Sequence, residues 1–209
     1  MFNSKSYKTT RAYAYLLIVF IALSSAQAKT SDIASAKELV AMLKQGGYVI
    51  YLRHGATNHK QNDGDLSDLR ECSNQRNLSS QGKIESRTLG EAFKTLGIKI
   101  DAVVSSPYCR TVDTALFAFN RVEIDENLRA MFLVNKTDAE LLTNHLSKLL
   151  TIHPKENYNN VLVGHTANLR EATNVWPKPE GVIHIFKPTS QGYQHIGRIQ
   201  PSKWDALLK

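Results

Sequence analysis

The sequence has little of what marks small stapled, fibrous or low-complexity proteins. Only two of its 209 residues are cysteine, which excludes a disulfide-dense mini-protein and most structural zinc modules. Six prolines and eleven glycines exclude collagen-like and low-complexity chains. With 42% hydrophobic and 22% charged residues, the composition is that of a globular protein, and a chain of this length can bury one sizeable core.

The first 28 residues contain no acidic residue and no apolar run of the about 20 residues that an ordinary membrane span needs. Three basic residues precede an apolar stretch over 12–23, and an Ala-x-Ala signal follows at 26–28. This order predicts a signal peptide over 1–28, cleaved after Ala28, and a periplasmic or secreted body without stable membrane insertion. An uncleaved N-terminal anchor is the alternative, and it would leave the body in the same space.

The excess of basic over acidic residues is modest once this segment is set aside. The chain has 26 Lys and Arg against 19 Asp and Glu, and three of the basic residues precede position 28, so the body carries a formal charge of +4. No basic run or aromatic platform accompanies it. The pattern argues against a nucleic-acid partner and favours a small anionic substrate.

Export permits a disulfide between Cys72 and Cys109, and only one pairing is possible. Two free, buried thiols are the alternative. If the bridge forms, it ties a long polar loop, which we expect at 58–76, to the start of the helix that carries Arg110. It would thereby hold that arginine in place.

Strand-like and helix-like patterns alternate along the body. Short β-branched and aromatic runs predict strands, the last two forming a hairpin, at 48–52, 102–105, 122–124, 160–163, 182–186 and 193–199. Amphipathic patterns with cap or stop signals predict helices at 35–45, 81–96 and 137–150. A further helix is expected to begin within 106–110 and to end at about 119, and two short helices are expected to begin at about 167 and after 201. The fourth helix is expected to open on a capping box at Thr137. The alternation predicts one α/β domain over 29–209, a three-layer α/β/α sandwich with a mostly parallel central sheet.

Arginine and histidine follow three of the predicted strands. The first strand ends on Arg53 and His54, the second leads to Arg110, and the fourth ends on His165. Ligands of open α/β sheets bind beyond the carboxyl ends of the strands, so these four side chains are expected to converge. Guanidinium forks suit phosphate oxygens, and imidazole can act as a nucleophile or a proton carrier.

Three ordered blocks resemble the signature of the histidine phosphatase superfamily, also called the phosphoglycerate-mutase-like family. They are the segments Leu52–Thr57, Ser105–Ala115 and Val161–His165, and the resemblance spans about 47–200. It implies the phosphoglycerate-mutase-like version of the α/β/α fold.

The resemblance also implies the roles of the site residues. His54 would attack as the neutral imidazole and become a phosphohistidine, while Arg53, Arg110 and His165 bind substrate and stabilise the transferred phosphoryl group. Thr57 is expected at the substrate. No metal or other cofactor is implied, since the arginines supply the positive charge.

The general acid of the family has no direct counterpart. Many members carry a glutamate shortly after a Leu-Arg pair between the second and third blocks, whereas here Leu128 and Arg129 are followed by Ala130. Glu126 is the nearest candidate and Asp125 the second. The alternative is that both are solvated turn residues.

Two further departures bear on the activity. Lys60 stands where phosphoglycerate mutases usually have asparagine, and the body lacks their large insertions, so we expect a phosphatase rather than a mutase. Small exported members of similar layout act on cell-envelope sugar phosphates, which makes such a sugar phosphate one candidate among small phosphorylated substrates. A non-catalytic periplasmic binder of phosphorylated ligands is the alternative.

The remaining histidines of the body fit no ligand spacing, although His59 is a candidate substrate contact. The oligomeric state stays open.

Overall fold

The computed structural model describes residues 36–209, so the predicted signal peptide lies outside the described residues. Within that range no helix has the length and apolarity that crossing a membrane requires. The chain forms one six-stranded sheet, whose strands are β1 (Val49–Arg53), β2 (Ile100–Ser105), β3 (Glu123–Ile124), β4 (Asn159–Gly164), β5 (Ile183–Thr189) and β6 (Gly192–Ile199).

The sheet has the strand order β3-β2-β4-β1-β5-β6. The first four strands of this order pair in parallel, and the β5–β6 hairpin continues the sheet antiparallel from β1. The predicted hairpin is thereby confirmed. The mostly parallel sheet is also confirmed, as three of the five strand pairings are parallel.

Helices cover both faces of the sheet. They are α1 (36–45), α2 (Ser80–Leu96), α3 (Cys109–Phe119), α4 (Lys136–Leu149), α5 (Thr166–Thr173) and α6 (Trp204–Leu207). Successive residues of β1 point to opposite faces: Ile50 and Leu52 pack with α1, α2, α3 and α6, while Val49 and Tyr51 pack with α4 and α5. These two apolar clusters give the predicted three layers.

The start of α4 differs from the expectation. Asn135, not Thr137, is its N-cap, because the Asn135 backbone is extended and its side chain accepts the backbone N–H of Asp138. Thr137 therefore lies within the first turn. The capping-box spacing from Thr137 was misleading because a better side-chain acceptor stands two residues earlier.

Two glycines let α2 pack closely against its neighbours. A Cβ at Gly82 would overlap the backbone carbonyl oxygen of Ala56, two residues after His54, and a Cβ at Gly90 would overlap that of Ala118 in α3. Glycine is thus required here for close approach of two backbones. The first contact fixes α2 against the segment that follows His54.

We expect both Gly82→Ala and Gly90→Ala to lower the free energy of unfolding by about 1–3 kcal/mol, as overpacking does. In an exposed helix the same change would raise it by about 1 kcal/mol. Urea unfolding measures the loss, with the exposed neighbour Gln81→Ala as control. Only Gly82→Ala should shift the NMR signals of the His54 ring. A stable Gly82→Ala chain with an unchanged His54 spectrum would contradict the close packing of Gly82 against Ala56.

Candidate active site

The register of the parallel strands brings the predicted site residues to one edge of the sheet. Arg53, the last residue of β1, is paired with Gly164 of β4, and Ser105 at the end of β2 is paired with Val163. His54 and His165 therefore leave neighbouring strands side by side, and their ring centroids lie 5.6 Å apart. The convergence expected from the sequence is present.

The ring of His54 is held in one orientation. Its Nδ1 lies 3.0 Å from the carbonyl oxygen of Gly55, so in the neutral ring Nδ1 donates the hydrogen bond and Nε2 keeps its lone pair. The backbone is fixed as well, since the His54 N–H donates to Gly164 and the His54 carbonyl accepts the Gly181 N–H. Nε2 is thus the atom able to act as a nucleophile.

Both histidines are buried, and both are neutral at pH 7. Burial lowers the pKa of His54 to about 3; the charges of Arg110 and Arg53 act in the same direction, and the Gly55 bond opposes them. Burial lowers the pKa of His165 well below its ordinary value, and Arg110 again adds to the effect. The neutral form of His54 is the nucleophilic one.

His165 is positioned from two sides. The hydroxyl of Ser106 lies 2.8 Å from its Nε2, and the buried Tyr51 hydroxyl donates to its carbonyl oxygen at 2.8 Å. The residue before it must be glycine, because a Cβ at Gly164 would overlap the Tyr51 hydroxyl. Tyr51 thus supports the end of β4 from inside the apolar cluster that packs with α4 and α5.

Arg53 is paired with a carboxylate. Its Nη2 donates to Glu180 at 3.1 Å and its Nη1 to the carbonyl of Pro177 at 3.1 Å. Glu180 also accepts the backbone N–H and the hydroxyl of Thr57, at 2.9 and 3.0 Å. Burial raises the pKa of Glu180, but the Thr57 bonds and the nearby cations lower it by more, so the carboxylate is ionised.

Arg110 is paired in the same way, with Asp63 from the long loop. Its Nη1 donates to the Asp63 carboxylate at 2.9 Å, and its guanidinium lies 4.6 Å from the Tyr108 ring centroid. Burial lowers the pKa of Arg110, and Asp63 opposes that shift. The Nε–H groups of Arg53 and Arg110 are buried without a hydrogen-bond partner in the described part of the chain. Two unpaired buried donors suit an anion.

These side chains line a cavity of about 360 Å³. Its titratable lining residues are Arg53, His54, Asp63, Arg76, Arg110 and His165. Thr166 and Ala167, the first residues of α5, add a helix N-terminus that no side chain caps, while Ala130, Met131 and Phe132 form an apolar wall. Arginine forks and an uncapped helix N-terminus are groups that suit an anion such as phosphate.

Three residues expected at the site are not on the cavity lining. Glu126 is exposed, and Asp125 accepts a bond from His145 at 2.6 Å. The Thr57 side chain is buried against Glu180 instead of facing the cavity. Ala130 is on the lining, at the place where the family pattern would have its acid. The acid assignment to Glu126 and the substrate contact of Thr57 therefore stay predictions.

Sequence reasoning missed Asp63, Arg76 and Glu180. All three lie in loops without periodicity, and their contacts with Arg110 and Arg53 span 34 to 127 positions of the chain. The only local signal was the Asp63-Gly64 pair, which reads as an ordinary turn.

The disulfide between Cys72 and Cys109 is present, as predicted, and no free cysteine accompanies it in the described chain. It joins the loop to the first residue of α3. Gln75 adds a second tie, because its side-chain oxygen accepts the Cys109 N–H at 3.0 Å and its amide donates to Leu69 at 2.8 Å. The loop is thus attached beside Arg110.

Comparison with known proteins agrees with this geometry. The family model of the histidine phosphatase superfamily (branch 1) matches residues 49–135. A search of curated proteins finds no match. Among solved structures, the chain is similar to the protein histidine phosphatase SixA complexed with tungstate, with 19% identity and a TM-score of 0.51 over 74% of this chain and 97% of that one.

Two further structures are similar. One is a mycobacterial glucosyl-3-phosphoglycerate phosphatase with VO3, at 14% identity and TM-score 0.55 over 73% of this chain and 98% of that one. The other is an Entamoeba histolytica phosphoserine phosphatase with 3-phosphoglyceric acid, at 15% identity and TM-score 0.50 over 73% of this chain and 96% of that one. The predicted phosphoglycerate-mutase-like fold and the resemblance to the superfamily are confirmed.

The lowered histidine pKa values predict how stability depends on pH. Between about pH 6.5, where an unfolded histidine titrates, and pH 3, the unfolded chain binds more protons than the folded one. The free energy of unfolding therefore falls as the pH falls, by about 1.4 kcal/mol per pH unit for each such histidine. His54→Gln should remove the contribution of one histidine from this slope, about 1.4 kcal/mol per pH unit, when the free energy of unfolding is measured in urea between pH 6 and 4. The exposed His153→Gln is the control. Equal slopes in the two variants would contradict the burial of a neutral His54.

Proposed function

We propose that this chain, a member of the histidine phosphatase superfamily, is an exported phosphatase that hydrolyses phosphomonoesters through a phosphohistidine on His54. The observation that carries the proposal is the His54 ring itself. It is neutral, it is oriented through Nδ1, and it lies in a cavity lined by arginine side chains. A neutral imidazole has a free lone pair with which it can attack a phosphoryl group. Burial and the positive charges of the neighbouring arginines keep the His54 ring from being protonated.

The reaction has two displacements at phosphorus. Nε2 of His54 attacks phosphorus, the P–O bond to the ester oxygen breaks, and the alkoxide leaves with the electron pair and takes a proton from water, which becomes hydroxide. A second water then attacks the phosphohistidine, and the P–N bond breaks with its electron pair returning to Nε2. Inorganic phosphate leaves with the protons of that water, one of which neutralises the hydroxide, so that His54 is neutral again. Arg53, Arg110 and His165 bind the phosphoryl oxygens in both steps, and losing one such donor costs roughly 100- to 1,000-fold in rate.

The proposed mechanism uses no metal ion. In phosphoryl transfer the main demand is compensation of charge on the phosphoryl oxygens, and guanidinium groups supply it here. Residues 36–209 also contain no cluster of three or more His, Cys, Asp or Glu side chains arranged to hold a metal. Arginine and histidine are the groups on which the proposal depends.

Export rests on residues 1–28, whose charge and apolar pattern is that of a signal peptide. The Cys72–Cys109 disulfide supports it, because such bonds persist in oxidising compartments. An exported phosphatase meets phosphorylated compounds outside the cytosol, so a cell-envelope sugar phosphate is the substrate candidate we favour. N-terminal sequencing of the exported protein should begin at Lys29.

One observation favours a second candidate, a non-catalytic binder of phosphorylated ligands. Ala130 forms cavity wall where a carboxylic acid would assist the leaving group, and Glu126 is exposed. Such a binder would gain thermal stability from inorganic phosphate but show no turnover and no phosphate on His54.

The phosphohistidine decides between the two. We expect the purified protein to hydrolyse p-nitrophenyl phosphate in the presence of EDTA, and His54→Ala to abolish turnover. Rapid quenching followed by mass spectrometry should find an acid-labile phosphate on the peptide that contains His54. The exposed His153→Ala is the matched control and should keep full activity. Activity that survives His54→Ala, or that EDTA removes, would refute the mechanism.

The missing acid predicts a strong dependence on the leaving group. Asp63 is the one carboxylate on the described cavity lining, and one of its oxygens already accepts hydrogen bonds from Arg110 and from the Arg76 backbone N–H. We therefore expect kcat/KM to fall steeply from p-nitrophenyl phosphate to glycerol phosphate, whose alkoxide needs a proton. If Glu126 were the acid, wild type would show a shallow dependence. Glu126→Gln would then slow the hydrolysis of glycerol phosphate by about 100- to 10,000-fold and leave the hydrolysis of p-nitrophenyl phosphate unchanged.

A further inference from the structure

Arg76 is the cation of the cavity whose charge no carboxylate offsets. Arg53 is paired with Glu180 and Arg110 with Asp63. Arg76 lines the same cavity, but it has no ion pair within residues 36–209, and its Nη1 lies 3.3 Å from Nδ1 of His59. Its charge also acts on the other site groups, since it lowers the pKa of Arg53, Arg110 and His165.

The Asp63 carboxylate links the backbone of Arg76 to the side chain of Arg110 by hydrogen bonds. The same oxygen of Asp63 accepts the Arg76 backbone N–H at 3.0 Å and the Arg110 Nη1–H at 2.9 Å. Arg110 Nη1 also donates to the Arg76 carbonyl at 3.4 Å. The position of Arg76 is therefore set relative to the phosphoryl site.

The chain on the N-terminal side of Arg76 is held just as firmly. Gln75 is almost fully buried and bonds to the first residue of α3, and three residues further back the disulfide joins Cys72 to that same residue, Cys109. Arg70 of the same loop differs from Arg76 in its side chain, which is 92% exposed, pairs with Asp68 and is not on the cavity lining.

We propose that Arg76 is a third guanidinium that binds the phosphoryl group of the substrate, together with Arg53 and Arg110. This inference rests on the proposed phosphatase site. Glu180 offsets the charge of Arg53 and Asp63 that of Arg110, so Arg76 is the one arginine of the described lining whose positive charge remains to meet a phosphomonoester dianion. Without Arg76 the other four side chains would have no net positive charge, and a dianion in a partly buried cavity would be left uncompensated, which is costly.

The test compares Arg76 with Arg70 of the same loop. Binding of inorganic phosphate, measured by calorimetry at pH 7, needs no turnover. We expect Arg76→Gln to weaken it at least about 10-fold and to lower kcat/KM for p-nitrophenyl phosphate by about 100- to 1,000-fold. Arg76→Lys should keep part of both, because it retains the charge but loses the planar fork. Arg70→Gln should leave both unchanged.

Chemical rescue distinguishes direct binding by Arg76 from a role in the stability of the loop. Guanidinium ion at millimolar concentration should restore part of the activity of Arg76→Ala if the side chain binds the phosphoryl group. It would restore none if the substitution had only destabilised the loop. The inference would be overturned if Arg76→Gln bound phosphate as tightly as Arg70→Gln does. It would also be overturned if Arg76→Ala lost activity, had a lowered melting temperature and was not rescued by guanidinium ion. A wild type that binds phosphate through Arg76 but has no turnover would instead refute only the phosphatase.

Discussion

The site depends above all on the parallel alignment of β1, β4 and β2. Because Arg53 is paired with Gly164 and Ser105 with Val163, three chain segments that are far apart in sequence leave the sheet at the same level. A shift of one residue in the β1–β4 pairing would turn the side chains of one strand to the other face and separate the two histidines. Ile50 and Leu52 fit the helices on one face and Val49 and Tyr51 fit those on the other, which disfavours that shift.

Much of this could be predicted because its signals are local. The strands end where apolar runs meet Arg53, His54 and His165, and the general rule for open sheets then places those residues together. The disulfide followed from a count of two cysteines in a chain expected to be exported. The start of α4 was wrong because two capping side chains, Asn135 and Thr137, compete within three residues and only the backbone geometry decides between them.

The rest of the site has no local signal. Asp63, Arg76 and Glu180 belong to loops, and each contacts a partner that the fold brings from elsewhere: Asp63 and Arg76 contact Arg110, and Glu180 contacts Arg53 and Thr57. In the sequence they look like solvated charges. Long-range hydrogen bonds of this kind determine which charges in the cavity are neutralised and which remain available.

The contact between Tyr51 and Gly164 links two positions that are more than one hundred residues apart. The Tyr51 hydroxyl occupies the space that a Cβ at Gly164 would need, and it bonds the carbonyl of the next residue. Neither residue can be enlarged alone without displacing the second histidine. In a set of homologues we therefore expect these two positions to covary: lineages that lose the phenol at one become free to admit alanine or serine at the other.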